Sequence, residues 1–154
     1  MRISFDIDDL LVCGPSVPAE AKPFSWIWWR KGEPLRRGTV ELMAMLRKRG
    51  CEIWIYTTSE RSPASISRWL RGYGIRTDGV VQGALHRKAV GPGGPSKYPP
   101  VFGIDLHIDD SEGVAREGHL HGFSVIVIRP DDCNWVAGVI AAVDARISGN
   151  DSDG

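Results

Sequence analysis

The chain has 154 residues, 42% hydrophobic and 25% charged, a size and composition that suit one soluble domain with a real core. Nineteen basic and nineteen acidic residues cancel, so net charge supplies no pull toward nucleic acid or a membrane surface, and neither is expected as a partner. Three scattered cysteines, Cys13, Cys51 and Cys133, form no CxxC pair and argue against a disulfide framework. Asp6, Asp8 and Asp9 stand where a leader peptide needs an apolar run, and the cluster Phe24 to Trp29 is too short to span a bilayer. A reduced, cytoplasmic protein is expected.

In chain order, apolar runs alternate with helical patterns, the signature of βαβ units and a parallel sheet. Met1 to Ile7 reads as the first strand. Residues 14–37 form an insert containing Trp26, Trp28 and Trp29, too short for a core of its own. Thr39 to Arg49 has helical spacing and stops at Gly50. Cys51 to Thr57 is a second strand, apolar throughout as expected for one buried on both faces. Ser62-Pro63 opens the next helix, with serine capping and proline in the first turn. Asp78 to Gln82 is a third strand, and the Gly- and Pro-rich stretch from Gly83 to Ser96 reads as a loop. Ile104 to Ile108 is the fourth strand, Glu112 to His121 a helix and Ser124 to Ile128 the fifth strand. A last helix from Asn134 to Ile147 leaves a disordered tail, 148–154. The whole is expected to be one α/β domain over 1–147, three-layered and Rossmann-like, with a central, mostly parallel five-stranded sheet.

Ligands of such sheets bind outside the carboxyl ends of the strands. There the sequence places Asp6-Ile7-Asp8-Asp9 after the first strand, Thr57-Thr58-Ser59 after the second and Asp109-Asp110-Ser111 at the fourth, with Lys97 in the preceding loop. Carboxylates, hydroxyls and an ammonium on one edge suit phosphoryl transfer. A hard cation such as Mg²⁺ takes one or two carboxylates plus phosphate oxygens and water, and Asp6 and Asp110 can supply them. A carboxylate can attack phosphorus, and a second one two residues away can protonate the leaving oxygen.

Phe5-Asp6-Ile7-Asp8-Asp9-Leu10-Leu11, Ile53 to Thr57, Ser96-Lys97-Tyr98-Pro99-Pro100 and Leu106 to Ser111 resemble, in order, the four motifs of the haloacid dehalogenase (HAD) superfamily. The resemblance implies a HAD-like fold, Mg²⁺ as cofactor and a phosphorylated substrate. It makes Asp6 nucleophile and metal ligand. Asp8 becomes acid/base and a metal ligand through its carbonyl. Thr57, with Thr58 beside it, binds the phosphoryl oxygens, and Lys97 neutralises nucleophile and phosphate. Asp110 binds the metal, with Asp109 either beside it or orienting Lys97. Leu10 departs from the usual Thr or Val. Lys97 lies twelve positions before Asp109, room for one short turn, and Lys88 is an alternative for its role. The presence of Asp8 favours phosphate ester hydrolysis over carbon–halogen cleavage. A receiver domain shares the inventory but not the motif order. A silent module that binds a phosphorylated ligand or protein partner is the competing reading.

Each residue also has a plainer account. Thr57 alone is a β-branched strand residue, Lys97 a surface lysine in a flexible loop, and Asp110 or Ser111 a helix cap. His86-Arg87-Lys88 reads as a solvated basic loop. His119 and His121, at i and i+2, share no helix face and receive no ligand role. Trp54 and Trp69 are expected in the core. Trp26, Trp28 and Trp29 read as a lid, a substrate platform or a homodimer contact, or else fold back onto the core.

Overall fold

A computed structural model describes residues 1–21 and 33–150, with Asn150 described by its backbone alone. The sheet is entirely parallel, in the order β3-β2-β1-β4-β5. Its strands are β1 (Arg2–Phe5), β2 (Glu52–Tyr56), β3 (Gly79–Val81), β4 (Leu106–Asp109) and β5 (Val125–Val127). The helices are α1 (Thr39–Lys48), α2 (Pro63–Gly72), α3 (Gly83–Val90), α4 (Glu112–His121) and α5 (Trp135–Asn150), with a 3-10 turn at Pro99–Phe102. The three-layer Rossmann-like expectation holds. Among the described residues no helix is long and apolar enough to cross a membrane.

The topology follows from the apolar pattern. β1 and its neighbours β2 and β4 bury Ile3, Phe5, Ile53, Ile55, Leu106 and Ile108 almost completely, as strands covered on both faces must. Helix α1 adds Leu42 and Leu46 to that core and α5 adds Val139 and Val143. Ser62 caps α2 by accepting from the Ser65 amide, and Ser111 caps α4 by accepting from Gly113 and Val114.

Four expectations need correction. Gly83 to Ser96 is not all loop, because its first eight residues form α3, capped by the Gln82 side chain on the Ala84 amide. The run Ala-Leu-His-Arg-Lys-Ala favours a helix locally, and the breakers cluster only from Gly91 onward. Helix α5 continues through Ser148, Gly149 and Asn150, so the tail does not begin at 148; 151–154 lie outside the described residues. The strands are trimmed by one or two residues at an end relative to the apolar runs, as at Arg2–Phe5 and Gly79–Val81, while β4 runs one residue further, to Asp109. Trp54 and Trp69 are half-buried at the margin of the core rather than inside it. Trp54 lies under the Arg2 guanidinium, and Trp69 donates to the Glu33 carbonyl.

The insert is pinned at its base. Ala19 and Arg36 form an antiparallel bridge, flanked by Glu20 N–H to Leu35 and Arg37 N–H to Pro18. Trp26, Trp28 and Trp29, and with them the lid, platform, dimer and core readings, lie outside the described residues.

Candidate active site

Asp6 is the first residue beyond β1, and its amide still donates to Ile108 at 3.0 Å, so the sheet itself fixes its backbone. The Ile7 carbonyl then accepts from Leu11 and Val12, closing a turn that presents Asp8 and Asp9. Asp9 adopts φ 58°, the left-handed region that Asp tolerates better than most residues. Leu10, where the resemblance leads one to expect Thr or Val, is fully buried in the core.

Lys97 is held from both sides in sequence. Ser96 donates its amide and hydroxyl to Glu117, and Tyr98 donates its amide to the Tyr56 hydroxyl at 2.8 Å. Tyr56 in turn pairs with His86 Nδ1 at 2.6 Å, which docks α3 against β2. The lysine is thus buried, not a mobile surface group. Its Nζ reaches Asp6 Oδ1 at 2.6 Å, the Tyr56 carbonyl at 2.9 Å and Asp109 Oδ2 at 3.1 Å. Three ammonium protons meet three acceptors. Lys88, the alternative, is exposed on α3.

Asp109 is equally committed. Oδ1 accepts from the Ser111 amide at 2.9 Å, and Oδ2 accepts from Lys97 and from His107 Nε2 at 2.8 Å. Of the two roles left open for it, these contacts carry the orienting of Lys97. Burial alone would raise its carboxyl, but the His107 hydrogen bond and the Lys97 charge outweigh that and hold it well below the ordinary range. Burial dominates at Asp6 and raises its carboxyl to about 6 against the pull of Lys97. Burial, then the Asp109 charge, raises Asp110 as well.

Asp6, Asp109 and Asp110 each bring a carboxylate oxygen to within 4.8 Å of the others. Three hard oxygen donors this close together could hold a metal ion. Because Asp109 is taken up by protein donors, Asp6 and Asp110 are the side chains fitted to hold one. Thr57 is buried at the end of β2, its hydroxyl accepting from the Ser59 amide at 3.1 Å, while Thr58 is exposed. Gly83 keeps this loop close, since a Cβ there would stand 3.0 Å from the Thr58 carbonyl.

No family model matches the chain, and no curated protein does. Solved structures resemble it in fold. One of them, a chain of the Pnkp1/Rnl/Hen1 RNA repair complex, aligns with a TM-score of 0.50 and 13% identity over 83% of this chain. The match spans 42% of that longer chain, and at such identity the likeness concerns the fold alone.

Two groups of contacts at this site were not read from the sequence. Arg61 donates to both oxygens of Asp8 and, through Nε and the other amino group, to Glu33. His107 and Ser4 lie fully buried beside the lysine, joined Nδ1 to Oγ at 2.8 Å. Their signal was present: a polar residue inside an apolar, doubly covered strand must find a partner. A groove of about 530 Å³ between Val40, Arg47, Ile75 and Asp78 flanks the amino end of β2 and is no part of this site.

Proposed function

We propose that the chain is a Mg²⁺-dependent phosphohydrolase of the HAD-like kind, working through an aspartyl phosphate on Asp6. One observation carries the reading: a buried Lys97 at 2.6 Å from Asp6, with Asp109 and Asp110 alongside, at the carboxyl edge of the two central strands. Lone ion pairs are common, but a buried lysine shared by two carboxylates at a ligand-binding edge is a costly arrangement to keep without a use.

In this mechanism an Asp6 oxygen attacks phosphorus while the bond to the leaving oxygen breaks and Asp8 supplies that oxygen's proton. Asp8 then takes a proton from water, which attacks the same phosphorus and releases orthophosphate from Asp6. Lys97 balances the charge of Asp6 before attack and of the phosphoryl oxygens during it. Thr57 and Thr58 orient the phosphoryl oxygens. Mg²⁺, held by Asp6, Asp110 and the Asp8 carbonyl, would supply further neutralisation of the transferring group. Balanced charge supports a small phosphorylated substrate over a nucleic acid, although the structural likeness is to a chain of an RNA repair complex. Three free cysteines support a reducing, cytoplasmic setting.

The deciding experiment is hydrolysis of an aryl phosphate at saturating Mg²⁺ by the wild type and by Asp6→Asn. The variant should fold and show no turnover; wild-type rates from it would refute the assignment. A second reading, a module that binds phosphorylated ligands without turning them over, draws on the engagement of both Asp8 oxygens by Arg61. Metal binding without turnover of any phosphorylated metabolite or phosphopeptide in a broad panel would favour it.

A further inference from the structure

We propose that His107 is a positioning residue that, together with Ser4, aims the Asp109 carboxylate at Lys97 and so holds the lysine on Asp6. The inference rests on the phosphohydrolase reading for its catalytic meaning, and on the contacts of this chain for the positioning itself.

The register begins the argument. β1 and β4 pair in parallel with Ser4 opposite His107, so the two side chains are neighbours inside the sheet, and neither has any exposed surface. Every polar atom there has to find its partner in protein. Asp109 is an acceptor only, so the imidazole proton facing it sits on Nε2 and donates to Oδ2 at 2.8 Å. Complete burial disfavours a charged imidazolium, and a neutral ring with its proton on Nε2 presents Nδ1 as an acceptor. The Ser4 hydroxyl, 2.8 Å away, can donate to that nitrogen and so completes the tautomer that Asp109 sets.

A terminal carboxylate torsion is soft, and hydrogen bonds decide its angle. The Ser111 amide holds Oδ1 of Asp109, and His107 holds Oδ2. With both oxygens fixed, the remaining face of Oδ2 meets Lys97 Nζ at 3.1 Å, and the ammonium stays within 2.6 Å of Asp6. The chain Ser4, His107, Asp109, Lys97, Asp6 therefore runs from mid-sheet to the edge where the reaction is placed.

The test uses His107→Leu, which removes the donor, His107→Gln, which keeps an amide able to reach Oδ2, and Ser4→Ala. Each variant is first matched to the wild type by circular dichroism. Lys97 is then acetylated with acetic anhydride in the absence of substrate and metal and read by mass spectrometry, with exposed Lys88 as internal reference. His107→Leu should label severalfold faster than the wild type at Lys97, and His107→Gln should return toward it. With an aryl phosphate and Mg²⁺, His107→Leu should lower kcat by about ten- to a hundredfold with KM within about twofold, and His107→Gln should recover most of the loss. Equal Lys97 labelling in all folded variants, or equal kcat for Leu and Gln, overturns the proposal. Should His107→Leu fail to fold, ¹⁵N spectra decide. The wild type should carry the proton on Nε2, and Ser4→Ala, which removes the donor to Nδ1, should keep that tautomer and move the Nδ1 resonance downfield. A proton on Nδ1 in the wild type overturns the proposal. A wild type that turns over nothing defeats the phosphohydrolase reading alone, because labelling and tautomer are measured without substrate.

Discussion

Arg61 grips both carboxylate oxygens of Asp8, at 2.8 and 3.0 Å, across fifty-three residues of chain. The same guanidinium holds Glu33, so the acid/base candidate, the loop after β2 and the far end of the insert share one cation. Half of the Asp8 side chain is in water, which screens the pair and limits its worth to about 1 kcal/mol or less.

That small worth separates chemistry from folding. Asp8→Asn keeps an acceptor for Arg61 and should shift the urea unfolding free energy by less than about 1 kcal/mol. Under the proposed mechanism it loses the proton donor and should lower kcat by about a hundredfold or more. Parallel urea titrations and steady-state rates check both. A variant that retains wild-type kcat denies Asp8 its role.

The lysine behaves oppositely, because its partners are dry. Lys97→Met leaves the Asp6 and Asp109 carboxylates without the charge that balances them, at side-chain exposures of 12% and 2%. Breaking a buried pair by removing one partner costs about 3–5 kcal/mol. Urea unfolding in chelator should show a loss of that order, and Mg²⁺ should restore more stability to this variant than it adds to the wild type. A loss under about 1 kcal/mol would mean that the cluster relaxes into water when the lysine leaves.

Much of this site was legible in advance because its residues stand at strand ends, where an apolar run stops and chemistry starts. Asp6, Thr57, Asp109 and Asp110 were found that way. The choice between Lys97 and Lys88 was not, since it depends on α3, whose eight residues carry Lys88 outward to solvent. That helix was obscured by the glycines and prolines just beyond it, which lowered the apparent helix tendency of the whole stretch. Arg61 escaped notice because a long side chain in a polar loop can point anywhere until its partner's position is known. Ser4 and His107 escaped because a strand pattern shows burial but not which neighbour lies across the ladder.

The turn after Asp6 carries a backbone requirement that a side-chain view misses. Asp9 has φ 58°, where an L residue with a Cβ is disfavoured by about 1–2 kcal/mol. Asp9→Gly should therefore match or slightly exceed wild-type stability, and Asp9→Val should lose about 1–2 kcal/mol. Thermal unfolding of the three proteins orders them. Valine at no cost would show that the turn readily adopts another conformation.

Asp6 itself should weigh against the fold at neutral pH. Burial raises the Asp6 carboxyl from 3.8 to about 6, so between those values the folded chain keeps a proton that the unfolded chain has released. The stability this group contributes is fully present below about pH 4 and is lost as pH climbs through about 6. About two pKa units correspond to about 3 kcal/mol at most. Asp6→Asn has no charge to bury at any pH, and its amide oxygen can still accept from Lys97. In metal-free buffer its stability relative to the wild type should therefore rise by about 1–3 kcal/mol between pH 4 and pH 7. Saturating Mg²⁺ at pH 7 should then narrow or reverse the gap, because an ion that binds only the ionised site stabilises only the wild type. Urea midpoints at pH 4, 5.5 and 7, with chelator and with Mg²⁺, read both effects. A difference between the two proteins that stays flat across the range would show that the carboxylate is not desolvated in the folded state.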